Sequence, residues 1–150
     1  MFDLKSLYQQ VIVDHNKSPR NFGKLEPCSH DAEGYNPLCG DQLHLYLNID
    51  NDGIIQQVRF EGEGCAISTA SASLMTQSLI GKSVDAFKQL FAQFHHMTTC
   101  DLDEEPDQAT LGKLAALAGV REFPSRIKCA TLCWHTAKAA IEGATRAKTE

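Results

Sequence analysis

A chain of 150 residues has the size of one ordinary domain, and 43% hydrophobic residues are enough for a core that needs no covalent staples. Charged residues make up 22% with a formal net charge of −5, which lacks the basic excess of a nucleic-acid binder and leaves a protein or small molecule as the expected partner. The start, MFDLKSLYQQVIVDHNK, has neither the basic opening nor the apolar run of a signal peptide, and no stretch approaches a membrane span, so the expected location is the cytoplasm.

Leu4, Leu7, Tyr8, Val11, Ile12 and His15 recur at helical spacing and predict an amphipathic helix over about 4–17. Ser18-Pro19-Arg20-Asn21 stops it, with Arg20 and Asn21 expected to fix the turn. The polar stretch over about 18–38 reads as an irregular arm. Residues 43–49 (LHLYLNI) and 54–60 (IIQQVRF) alternate around the turn sequence Asp50-Asn51-Asp52-Gly53 and predict a β-hairpin. Pairing Leu43 with Phe60, Leu45 with Val58 and Ile49 with Ile54 puts the apolar residues on one face, and a slip of one residue would break that match. The Ala- and Ser-rich stretch 65–80 reads as a closely packed helix ended by Gly81. Another helix is expected over 83–96, with Val84, Phe87, Leu90, Phe91 and Phe94 in its stripe. Asp101–Asp107 reads as a solvated acidic loop, and 109–118 as a short helix ended by Gly119. Pro124-Ser125 opens a last helix expected to reach about Ala147, with Cys129, Leu132, Cys133, Thr136, Ala140 and Ile141 in its stripe. Strands followed by helices indicate a single α+β domain over 1–150, a small hairpin-based antiparallel sheet covered by several helices.

The six cysteines are Cys28, Cys39, Cys65, Cys100, Cys129 and Cys133. In a cytoplasmic chain of this length they point to metal binding or catalysis rather than disulfides. Cys39 and Asp41 precede the first hairpin strand and Cys65 follows the second, so all three fall at the hairpin's open end. The expected register sets 39 opposite 64 and 41 opposite 62. Cys39 and Asp41 are two apart on a strand and point the same way. Gly40, Gly62 and Gly64 leave the backbone room there. Two thiolates and a carboxylate make three ligands, and zinc normally takes four. Cys129, at the start of the last helix, is the candidate for the fourth, because a helix N-terminus stabilises a thiolate; Cys65 shares that advantage. Spacing alone does not bring the last helix to the hairpin. The bland alternatives are a structural zinc site for the first three and a core thiol for Cys129. Cys133, one turn further on, is better read as core packing than as a resolving thiol. Cys28 and Cys100 read as incidental, and His95-His96 with Cys100 lacks the further ligands of a metal cluster. His15 reads as a core or docking histidine.

Several separated motifs stand in order: Asp14-His15 with Pro19-Arg20-Asn21, Asn36-Pro37-Leu38-Cys39-Gly40-Asp41, Gly62-Glu63-Gly64-Cys65-Ala66-Ile67-Ser68, and Arg126-Ile127-Lys128-Cys129-Ala130-Thr131-Leu132. With these the chain resembles the IscU/NifU-N family of iron–sulfur cluster assembly proteins, and is most similar to its SufU branch. The resemblance implies the IscU-like fold and a shared metal site at Cys39, Asp41, Cys65 and Cys129. Cluster-scaffold members carry a His before the last cysteine. Here Lys128 stands there, an ammonium and a poor ligand for soft metals. An acidic insertion over about 98–120 also resembles SufU. The branch implies a zinc-dependent sulfurtransferase, which accepts persulfide sulfur on Cys129 from a pyridoxal-phosphate-dependent cysteine desulfurase of the SufS type. Docking of the desulfurase would let one of its His residues take over a zinc position and release Cys129. The sulfur would go on to downstream iron–sulfur assembly components. Arg126, three residues before Cys129, is assigned to thiolate stabilisation or partner docking. The alternatives are a scaffold assembling a labile [2Fe–2S] cluster, or holding iron, on the same residues, and a zinc-stabilised interaction module without chemistry.

Overall fold

A computed structural model describes residues 4–37, 40–99, 108–143 and 146–148. Helix α1 (Leu4–Lys17) leads through a turn into strand β1 (His30–Asn36), then β2 (Asp41–Ile49) and β3 (Ile55–Glu63). Helices α2 (Ala66–Leu79), α3 (Val84–Thr99) and α4 (Gln108–Leu111) follow, then a 3-10 helix (Gly112–Glu122), α5 (Pro124–Ile141) and a short β4 (Arg146–Lys148). The sheet order is β3-β2-β1-β4, with β1, β2 and β3 antiparallel and β4 parallel to β1. Leu43, Leu45, Leu47, Val58 and Phe60 turn one sheet face inward, and the helices bury it. The fold is the expected α+β layer of helices on a small sheet.

The arm expected over 18–38 ends in a strand. Residues His30–Asn36 lie between β2 and β4, with Ala32, Gly34 and Asn36 turned inward. The alternation is present, but small and polar residues carry it, so it has no hydropathy signal. They are small because α5 lies hard against them: a Cβ on Gly34 would fall inside the Thr136 hydroxyl. The first part of the arm clasps α1 to α2. His15 Nδ1 and Ser73 Oγ are 2.7 Å apart, and Arg20 N donates to the same Oγ at 2.8 Å. Asn21 Nδ2 donates to Thr76 Oγ1 at 3.1 Å, and Arg20 pairs with Asp14 at 2.7 Å.

The hairpin keeps its expected face but not its register. Leu45 pairs with Phe60 and Leu47 with Val58, two residues away from the expected pairing. A slip of two preserves the inward set, so hydrophobic alternation could not detect it. The turn decides it: Asp50 Oδ1 accepts from Asp52 N and Ile54 N, both at 2.9 Å, and organises a loop that runs through Ile54. A strand irregularity at Asn48/Ile49 then pairs Ile49 with Ile55. Ile55 takes the core position expected for Ile54, which bridges to Ser83 instead.

Helices α2 and α3 match expectation, with Phe87, Leu90, Phe94 and Met97 buried and the Phe87 and Phe94 rings stacked on Trp134 of α5. The short helix expected over 109–118 is α-helical only to Leu111 and continues as a 3-10 helix past Gly119. Leu114, Leu117 and Val120 are all buried and recur every three residues, the 3-10 repeat. Helix α5 stops at Ile141, short of Ala147, because Gly143 takes a left-handed φ of +84° and turns the chain into β4. The acidic loop 101–107 lies outside the described residues. Among the described residues no helix is long and apolar enough to cross a membrane.

Candidate metal centre

Strands β1 and β2 end side by side, with Asn36 registered opposite Asp41. Gly40 N donates to Asn36 O at 2.8 Å and closes the turn between them. Gly40 adopts φ +74°, a left-handed value that a side chain would strain. Cys39 lies outside the described residues. Asp41 is 1% exposed, and both its oxygens are held: Oδ1 accepts from Cys65 N at 2.9 Å and Oδ2 from Asn36 Nδ2 at 3.3 Å.

Cys65 is the N-cap of α2, and its Sγ accepts from Ser68 N at 3.4 Å. Gly64 before it must be small, since a Cβ there would meet Ser68 Oγ at 3.0 Å and Asp41 Oδ1 at 3.1 Å. The shifted register matters here, because it moves the end of β3 toward Asp41 and lets the Cys65 backbone grip the carboxylate. Cys129 comes from α5, five residues after Pro124, and is fully buried. It is therefore in the second turn, beyond the reach of the helix N-terminus, and the dipole argument made for it passes to Cys65 alone. Asn36 Nδ2 donates to Cys129 Sγ at 3.6 Å.

Asp41, Cys65 and Cys129 each bring one ligand atom within 4.8 Å of the others. No other group of three or more potential ligands from His, Cys, Asp and Glu forms among the described residues. Without metal the Cys65 thiol is pulled down to about 6. The hydrogen bond it accepts from Cys129 is the main cause, and the Ser68 amide adds to it against burial and the Asp41 charge. Two sulfurs and a carboxylate, pre-positioned by backbone and amide hydrogen bonds, suit zinc or iron. The described donor set therefore fits a metal.

The other candidates sort by environment. Arg126 is exposed on the first turn of α5, and Lys128 is half-buried. Cys133 is buried beside Ser71 and pushed up to about 12 by burial, which makes it an inert core thiol. Burial also raises Cys28. His15 is a buried core histidine on Ser73. His95 and His96 sit near the end of α3, and Cys100 lies outside the described residues. Asn36 received no role from the sequence. The available signal was its place at the head of the motif Asn36-Pro37-Leu38-Cys39-Gly40-Asp41.

The model of the NifU-like N-terminal domain matches residues 7–142 of this chain. The zinc-dependent sulfurtransferase SufU of Bacillus subtilis is 46% identical over 132 residues, covering 88% of this chain and 87% of that protein. The iron–sulfur cluster assembly scaffold protein IscU of Streptococcus pyogenes is 41% identical over 145 residues, covering 97% and 89%. The solved structure of FiSufU from Fervidobacterium islandicum AW-1 superposes with a TM-score of 0.81 at 34% identity, covering 91% of this chain and 97% of that one.

Proposed function

The chain belongs to the NifU-like N-terminal domain family, and from that premise we propose that it is a zinc-dependent sulfur acceptor of iron–sulfur cluster assembly, with Cys129 taking sulfur from a cysteine desulfurase. The observation that carries the reading is the meeting of Cys129 with Cys65 and Asp41 within 4.8 Å, from three separate elements. Lys128, standing where cluster-scaffold members carry a His, adds no donor for a soft metal and favours the zinc reading over the scaffold.

Cys39, Asp41, Cys65 and Cys129 would hold the ion. Bound zinc supplies positive charge that keeps the thiols deprotonated at neutral pH. The chain's own residues do the rest. The Asn36 amide and the Cys65 N–H hold Asp41, the hardest donor of the four, so the set stays mixed and exchangeable. Full burial of Cys129 keeps water and oxidants from its sulfur until docking of the partner frees it. In the transfer, the Cys129 thiolate attacks the outer sulfur of the donor persulfide. A sulfur–sulfur bond forms on Cys129, the donor's own bond breaks, and the donor cysteine leaves as a thiolate with no net redox change. Arg126, exposed one turn before Cys129, contacts the partner. That partner is a pyridoxal-phosphate-dependent desulfurase of the SufS type, in the cytoplasm, and later assembly components receive the sulfur.

The test is desulfurase turnover measured with and without this protein. Turnover of cysteine should rise with it, and Cys129→Ala should abolish the rise. No stimulation, or stimulation undiminished by Cys129→Ala, would overturn the reading. The identity to a scaffold protein favours one second reading, a labile [2Fe–2S] cluster on the same residues. Anaerobic reconstitution that yields a stoichiometric cluster transferable to an apo acceptor would favour it.

A further inference from the structure

Asn36 closes β1 with a fully buried side chain, and its amide is directed at the site rather than at the sheet. Nδ2 donates to Asp41 Oδ2 at 3.3 Å and to Cys129 Sγ at 3.6 Å. The opposite amide orientation would set an oxygen against a carboxylate and a thiolate, so it is the donor that faces them. The main-chain carbonyl of the same residue accepts from Gly40 N at 2.8 Å and closes the turn between β1 and β2. One residue thus ties that turn, Asp41 and Cys129 together across β1, β2 and α5.

An amide N–H donates whatever the pH and offers no competing acid–base chemistry. A buried thiolate without a donor is costly. Once a partner residue takes over its metal position, the Cys129 sulfur keeps only the donors that the chain itself supplies. We propose that Asn36 is a positioning residue: its amide holds the Cys129 sulfur, with Asp41 beside it, in the reactive arrangement through sulfur transfer. The inference rests on the reading of Cys129 as the sulfur acceptor.

The test uses Asn36→Ala, which removes the donor, and Asn36→Asp, which keeps the shape and replaces the donor with an acceptor. Each full-length variant is loaded with cobalt(II) for its sulfur-to-cobalt charge-transfer band, and with zinc for single-turnover sulfur uptake from a persulfidated desulfurase. A hydrogen bond to sulfur lowers its lone-pair energy, so losing the bond should move the band to longer wavelength. Sulfur uptake per metal-loaded protein should slow roughly ten- to a hundredfold, the range for a hydrogen bond to a charged group. A folded, loaded variant with an unmoved band and wild-type uptake would overturn the proposal. So would a loss of uptake that merely follows the fraction still folded and loaded, or failure of both variants to fold, since either reduces Asn36 to a structural residue. If the wild-type protein takes up no sulfur, the functional reading fails instead, and the band alone decides whether Asn36 holds the sulfur.

Discussion

His15 lies on α1 with its Nδ1 2.7 Å from Ser73 Oγ, and burial, then the Arg20 guanidinium, holds its pKa below the ordinary 6.5. The unfolded chain therefore binds a proton that the folded one resists. The stability this residue contributes is complete above about pH 6.5 and is lost as the pH falls from there through the lower folded value. His135, depressed first by burial, acts in the same direction. Thermal melts should show the midpoint falling below pH 6.5, with a shallower fall in His15→Gln. An unchanged slope would show that His15 titrates normally. The thiols divide just as sharply. In zinc-free protein at pH 7, iodoacetamide should label Cys65, pulled down to about 6 and half-exposed, well before Cys133, buried and pushed up to about 12. Peptide mapping by mass gives the order, and early labelling of Cys133 would contradict its place in the core.

At the scale of elements, the site depends on how closely α5 approaches β1. Gly34 has no side chain, so Leu132 and Thr136 of α5 can press on the strand, and the same helix carries Cys129 to Asn36 and Asp41. Gly34→Ala should overpack this contact and cost about 1–3 kcal/mol in urea unfolding. It should also lower metal content, because the helix that shifts is the one that bears Cys129. Wild-type stability and metal content in that variant would show that the approach has slack. The hairpin teaches a related lesson. Alternation chose its inward face correctly, while Asp50 and the loop it organises chose the pairing, and that pairing brought Cys65 N onto Asp41.

In the whole molecule, β2, the start of α2 and the second turn of α5 meet at the three described donors, so a bound ion would cross-link elements far apart in sequence. A ligand at a hundredfold excess over its dissociation constant stabilises by about 2.7 kcal/mol. For a chain of this length that corresponds to a midpoint shift of roughly 5–10 °C. Chelation should lower the melting midpoint by about that much and added zinc should restore it; no shift would mean that the ion does not bridge the elements. The sequence by itself determined the helices with strong stripes, the inward face of the hairpin, the family, and the placing of Asp41 and Cys65 at one end. Those features are local: period, turn residues and short motifs express them over a few neighbours. Only the tertiary structure decided that His30–Asn36 is a strand, that the pairing shifts by two, and that Cys129 reaches the other donors. The strand's inward positions are small or polar, a slip of two leaves the apolar pattern unchanged, and the position of α5 is set by packing against Gly34. None of these leaves a periodic mark in the chain. The site seen first as a hairpin end is completed by a helix and held together by Asn36.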